Sequence, residues 1–124
     1  MEEWIIIVDD NTINLQAAKH IFSEEQISAR YFKSGADMLK FLDGTRIPSL
    51  ILLDIHMPEM DGFEVLRRLK EQPAYEKVPV IFLTADDDAS TEQKGLEAGA
   101  ADFIQKPFVA EFLLSKVRET MGKM

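Results

Sequence analysis

The chain has no cysteine in its 124 residues, so it holds no disulfide and offers no thiolate to a metal. It contains no apolar stretch long enough to span a bilayer. Its opening residues, Met1-Glu2-Glu3, lack the positive charge that begins a secretory signal. With no export signal and no membrane segment, the cytoplasm is the expected compartment. Cations are scarce, with 14 Lys and Arg against 22 Asp and Glu, a formal net charge of -8. That balance argues against a grip on nucleic acid, which depends on neutralising phosphates with Lys and Arg. It suits a solvated surface and also a domain that gathers carboxylates around a cation. A P-loop and a dinucleotide fingerprint are both missing, which argues against bound nucleotide and against ATP as the direct phosphoryl donor. Nor is there an internal repeat, a low-complexity tract or a linker.

What remains is the composition of one packed domain, expected to span residues 1–124, with 46% hydrophobic residues. Four short apolar runs punctuate it. Ile5-Ile6-Ile7-Val8 leads into Asp9-Asp10, and Leu50-Ile51-Leu52-Leu53 into Asp54. Val80-Ile81-Phe82-Leu83 leads into Thr84, and Asp102-Phe103-Ile104-Gln105 into Lys106-Pro107. Short apolar runs bounded by turn signals read as strands buried on both faces, the pattern of a parallel sheet. Residues Ile27 to Phe32 alternate apolar and polar, as an edge strand does.

Helical spacing fills the intervals, so the expected class is α/β, built of βα units. Leu15, Ala18 and Phe22 mark the first helix. Ser34-Gly35-Ala36-Asp37 resembles a capping box and opens a second with Met38, Phe41 and Leu42 on its core face, ended by Gly44. Asp61-Gly62 opens a third carrying Phe63, Leu66 and Leu69. Pro73 and Pro79 bracket the return to the sheet. The fourth helix is the weak one. Asp88 or Ser90 can cap it and Gly99 can end it, but Gly95 lies inside it at a cost of about 1 kcal/mol against Ala. Its only large apolar residue is Leu96. Such an element is either free to shift or a poorly optimised surface helix. The last helix carries Val109, Phe112, Leu113 and Val117.

Ligands in open parallel sheets bind beyond the carboxyl ends of the strands. Asp9, Asp10, Asp54, Thr84 and Lys106 are each placed there. Three converging carboxylates repel one another, and magnesium relieves this through oxygen ligands, typically one or two carboxylates with a phosphate. A carboxylate is also a nucleophile that forms an aspartyl phosphate. Thr84 could then hydrogen-bond one phosphoryl oxygen and Lys106 pair with another. Taken singly, each residue has an ordinary explanation. Asp9 or Asp10 could cap the helix beginning near Asn11, Asp54 could cap a turn, Thr84 could be a strand-end residue and Lys106 a solvated charge. Four independent strand ends carrying these types together favour the site. The Lys106-Pro107 bond can be cis at modest cost. Met57 fits a core position and Met60 a loop, and neither calls for a cofactor.

Val8-Asp9-Asp10-Asn11, Leu53-Asp54-Ile55-His56-Met57-Pro58-Glu59-Met60-Asp61-Gly62, Leu83-Thr84-Ala85 and Gly99 to Phe108 together resemble the signatures of receiver domains of two-component response regulators. The resemblance covers essentially the whole chain in order and spacing. It implies a flavodoxin-like three-layer sandwich with five parallel strands in the order 2-1-3-4-5, flanked by five helices; that order illustrates the family in general accounts of the fold. It implies Asp54 as phosphoacceptor, supplied by a phosphohistidine of a sensor histidine kinase or phosphotransfer protein. Asp9, Asp10 and the backbone carbonyl of His56 would join Asp54 in holding Mg2+, for which Mn2+ or Ca2+ can substitute. Thr84 and Phe103 match the switch pair and Lys106 the phosphate-binding lysine. His56 and Asp86 match positions that tune dephosphorylation. For His56 a loop imidazole is the ordinary alternative. For Asp86, with Asp87 and Asp88, it is favourable charge at a helix N-terminus.

The expected function is therefore a regulatory switch rather than an enzyme with an external substrate. Phosphorylation would remodel the surface of the fourth helix, fifth strand and fifth helix, which would meet a partner, a second copy of the chain or an output domain. Direct contact with nucleic acid or membrane is not expected. The stretch Asp9 to Asn14 is also reminiscent of receivers fused to sensor kinases, so the chain reads as a free-standing receiver or as one domain of a larger protein. Three other readings compete. Flavin binders of this fold class need a hydroxyl- and glycine-rich loop where this chain has Asp9-Asp10-Asn11-Thr12. Phosphohydrolases with an aspartate nucleophile place an Asp-x-Asp pair after the first strand, not adjacent aspartates. A degenerate receiver that only docks would not need all five key positions.

Overall fold

A computed structural model describes residues 3–85 and 89–122. Among these residues the chain alternates strand and helix: β1 (Ile5–Val8), α1 (Thr12–Glu24), β2 (Ala29–Phe32), α2 (Gly35–Phe41), β3 (Leu50–Asp54), α3 (Gly62–Lys70), a 3-10 turn at Pro73–Tyr75, β4 (Val80–Thr84), α4 (Ala89–Ala98), β5 (Asp102–Gln105) and α5 (Ala110–Thr120). The strands form one parallel sheet in the order β2-β1-β3-β4-β5, as the resemblance implies.

The apolar runs are continuous because the central strands are covered on both faces. Alternate residues divide between two cores. Ile6, Val8, Ile51, Leu53, Val80 and Phe82 pack with Met38 of α2 and Val65, Leu66 and Leu69 of α3. Ile5, Ile7, Leu50, Leu52, Ile81, Leu83 and Ile104 pack with Leu15, Ala18 and Phe22 of α1 and Leu113 and Val117 of α5. The chain crosses from one side of β1 to the other on entering β3. The crevice of the sheet therefore opens past the carboxyl ends of β1 and β3.

Several helix boundaries follow side-chain chemistry. Ser34 Oγ accepts from the Asp37 amide, and Asp61 Oδ1 accepts from Glu64, so both expected caps are present. The cap of α1 is Asn11, whose Oδ1 accepts from Ile13 and Asn14, rather than Asp9 or Asp10. The α2 helix stops at Phe41 with Leu42 as its C-cap, two residues before Gly44. The Gly44 amide instead donates to the buried Tyr75 hydroxyl at 2.6 Å. Gly99 ends α4 at φ +109, with Ala100 N bonded to Gly95 O and Gly99 N to Leu96 O. Ser90 lies within α4, not ahead of it, and Asp88 lies outside the described residues.

Two expected core positions of the last helix are exposed. Val109 precedes α5 in extended backbone and is 66% exposed, while Phe112 is 49% exposed. The helix buries a narrow stripe through Leu113 and Val117, and Phe112 stands about 100° away from it. The sheet borders carry charge. On β2, Arg30 lies 5.6 Å from the centre of the Phe41 ring, with Arg46 5.2 Å from the same centre. On β5, Asp102 pairs with Lys116 at 2.6 Å.

Gly62 brings the start of α3 against the end of β3. Its amide donates to Ile55 O at 2.8 Å, and a methyl carbon there would lie 2.8 Å from both Asp54 O and Ile55 Cα. These are backbone atoms and cannot swing aside. Gly62→Ala should therefore destabilise the fold by about 1–3 kcal/mol, read as a lower urea midpoint; an unchanged midpoint would mean this approach is not tight.

Candidate functional site

The strand ends bring the expected acids together. Carboxylate oxygens of Asp9, Asp10 and Asp54 lie within 4.8 Å of one another. Asp9 and Asp54 are buried, while Asp10 is exposed. Asp9 follows β1 and Asp54 ends β3, the two strands that flank the crevice.

Burying a carboxylate is costly unless its oxygens find donors. Asp9 has three. The Asn11 amide donates to Oδ1 at 2.9 Å, while Asn14 Nδ2 and Lys106 Nζ donate to Oδ2 at 3.1 and 3.4 Å. Among the described residues, Asp54 is held through one oxygen. Lys106 Nζ donates to Oδ1 at 3.1 Å and the His56 amide reaches the same oxygen at 3.4 Å. Among the described residues, Asp54 Oδ2 accepts no hydrogen bond. Burial and the neighbouring Asp9 charge push the Asp54 carboxyl up to about 6, against the opposing pull of Lys106.

Lys106 reaches this pair from the loop after β5. Its amide donates to Thr84 O at 2.8 Å, the Lys106–Pro107 bond is cis, and its side chain is only 15% exposed. Thr84, buried at the end of β4, lies opposite Gln105, one step beyond the Asp54–Leu83 pair. Strand alternation sets Phe103, Phe82 and Thr84 on the face covered by α3 and α4. The Phe103 ring is half-buried, its centre 6.0 Å from that of Phe82. His56 is exposed and Asp86 lies outside the described residues.

Two supporting residues escape a reading confined to strand ends. Asn14 orients Asp9; its signal is its place in the first turn of α1, five residues after Asp9. Gly62 closes the loop behind Asp54, and its signal, the Asp-Gly pair, marks a helix start without revealing what the helix start approaches.

Three carboxylates face one ammonium, so the site carries two negative charges in excess when all are ionised. The donors are all oxygen, and one acid is already pushed up by burial and by its neighbour. A hard divalent cation fits such a set.

The family model described as the response regulator receiver domain matches residues 5–118. Response regulator PleD of Caulobacter vibrioides is 35% identical over 122 residues, covering 95% of this chain but 26% of that protein. Response regulator MprA of a Mycobacterium species is 34% identical and is covered over 50% of its length. The chain thus spans a quarter to a half of these curated relatives. Among solved structures, the signal receiver domain of a histidine kinase from Syntrophus aciditrophicus matches at a TM-score of 0.85 with 38% identity, covering 98% of this chain and 91% of that one. Chemotaxis protein CheY4 of Vibrio cholerae matches at 0.90 with 26% identity, over 97% and 99% of the two chains.

The Asp54 carboxyl is raised from 3.8 to about 6, so between these values the folded chain holds a proton that the unfolded chain has lost. Stability from this group is present at low pH and falls as pH rises through that window. In chelator-treated protein, the stability difference between wild type and Asp54→Asn should shift against wild type from about pH 4 to about pH 6. A difference flat with pH would show that Asp54 does not hold this proton.

Proposed function

The chain belongs to the response regulator receiver domain family, the phosphoacceptor switches of two-component signalling, and we propose that Asp54 is its phosphoacceptor. Receiver domains of this family work with histidine kinases or phosphotransfer proteins and are regulatory. The observation that carries the reading is the asymmetry at Asp54: Oδ1 is tied to Lys106, while Oδ2 accepts no hydrogen bond from a described residue.

In the proposed step, Asp54 Oδ2 attacks the phosphorus of a phosphohistidine. The new O–P bond forms as the P–N bond breaks, and the electron pair returns to the imidazole nitrogen, which takes up a proton. Lys106 neutralises charge on a phosphoryl oxygen and Thr84 donates its hydroxyl to another. Asp9, Asp10, Asp54 and the His56 carbonyl would hold Mg2+, or Mn2+ or Ca2+ in its place. A bound divalent cation supplies neutralising charge to the acids and the phosphoryl oxygens. Asn14 and Lys106 keep Asp9 aimed at that position. His56 and Asp86 are the proposed tuning positions for loss of the phosphoryl group.

The response is a coupled movement of Thr84 and Phe103 that alters the surface of α4, β5 and α5, the face offered to a partner, an output domain or a second copy. Exposed Leu96 and Phe112 on α4 and α5 support an apolar partner there. We further take residues 1–124 as one receiver unit, acting in the cytoplasm, with no direct contact to nucleic acid or membrane and no external substrate turned over. No helix of the described residues is long and apolar enough to cross a membrane.

Acetyl phosphate with Mg2+ should add one phosphoryl group by intact mass. Asp54→Asn should abolish the gain and keep the fold, and Lys106→Ala should slow uptake about 100-fold. Full labelling of Asp54→Asn would remove Asp54 from the role.

A further inference from the structure

The fourth helix is attached to the sheet in an unusual way. Among its described residues Gly95 is the only buried one, and its only large apolar side chain, Leu96, is 51% exposed. Gly95 instead lets two aromatic rings approach the helix backbone. A methyl carbon on Gly95 would lie 2.5 Å from Phe103 Cζ, 2.9 Å from Phe103 Cε1 and 3.0 Å from Phe82 Cδ2. The Gly95 carbonyl also accepts the Ala100 amide that closes the helix end. One residue therefore carries both the seat of α4 on the sheet and its turn into β5.

Glycine inside a helix is ordinarily a loss of about 1 kcal/mol against Ala. Here the missing methyl forms a slot that the Phe103 ring fills, two residues of sheet register from Thr84 and so on the same face. Phe82, the third wall, lies against Phe63 of α3 at 5.1 Å between ring centres and cannot retreat freely. A displacement of the Phe103 ring must then change the support under Gly95.

We infer that Gly95 is the positioning residue that makes α4 follow the Phe103 ring, so that the state of the phosphoacceptor site reaches α4 through a ring-to-backbone contact. The inference rests on the phosphoacceptor reading above for its signal, but the slot itself is testable without phosphate.

In unphosphorylated protein the sign of Gly95→Ala should depend on the ring. With Phe103 present, the substitution should lower the urea midpoint. In the Phe103→Ala background, where Phe82 gains room to relax, it should raise the midpoint by restoring helix propensity. The same sign in both backgrounds would overturn the slot.

The second arm reads coupling. The chain has no cysteine, so Lys94→Cys on the exposed face of α4 gives a unique thiol for an environment-sensitive dye. Acetyl phosphate with Mg2+ should change its emission, and Gly95→Ala should lose most of that change while still gaining the phosphoryl group by mass. Phe103→Ala, with Gly95 intact, should lose it too. An undiminished emission change in both labelled variants overturns the inference. Failure of every protein to gain mass overturns the phosphoacceptor reading instead, while the stability arm still decides the slot.

Discussion

Two buried carboxylates side by side are the condition to which the rest of the structure answers. Asp9 and Asp54 sit at the ends of adjacent strands, where the register of β1 and β3 leaves no choice about their proximity. Burial and the Asp9 charge both disfavour ionisation of Asp54. One ammonium, Lys106, serves both from the far side of the sheet. Sequence separations of 97 and 52 residues are thus closed by charge as well as by apolar packing. The surrounding polar contacts are unequal. Asp9 is saturated by Asn11, Asn14 and Lys106, so it is fixed in place. Among the described residues, Asp54 is held through one oxygen only, by Lys106 and the His56 amide.

Much of this arrangement was legible in the sequence because it depends on strand ends. Runs such as Leu50 to Leu53 are apolar at every position only when both sheet faces are covered, and the residue that follows each run is then delivered to the crevice. Asp9, Asp54, Thr84 and Lys106 could be located by that rule alone. The illegible parts depend on which faces meet. Val109 has the helical spacing of a core residue but stands before the helix begins. Gly44 looks like a helix stop, yet the chain leaves α2 earlier and Gly44 serves Tyr75. Gly95 reads as a flaw until the ring beneath it is known. Each of these is settled by a neighbour remote in sequence, which local periodicity does not encode.

The two cores are anchored differently. On the α1 and α5 side, the helices contribute their own buried apolar side chains to the sheet. On the other side, α2 and α3 do the same, but α4 rests on aromatic rings that belong to strands. The least self-sufficient helix is therefore next to Thr84, the buried hydroxyl at the rim of the acid cluster. Low intrinsic anchoring beside a site of changing charge is the arrangement from which a responsive element is built.

The outer borders of the sheet have a further consequence. A parallel sheet ends in rows of unpaired peptide groups that invite another chain to add a strand. Here β2 and β5 are each four residues long. Arg30 on the first leans over Phe41, and Asp102 on the second is engaged by Lys116. A foreign strand would have to desolvate or displace these charged groups to gain only a few peptide hydrogen bonds. Such fencing protects a newly made or crowded population of the chain from ribbon-like aggregation, and it steers any orderly pairing of molecules toward helical surfaces.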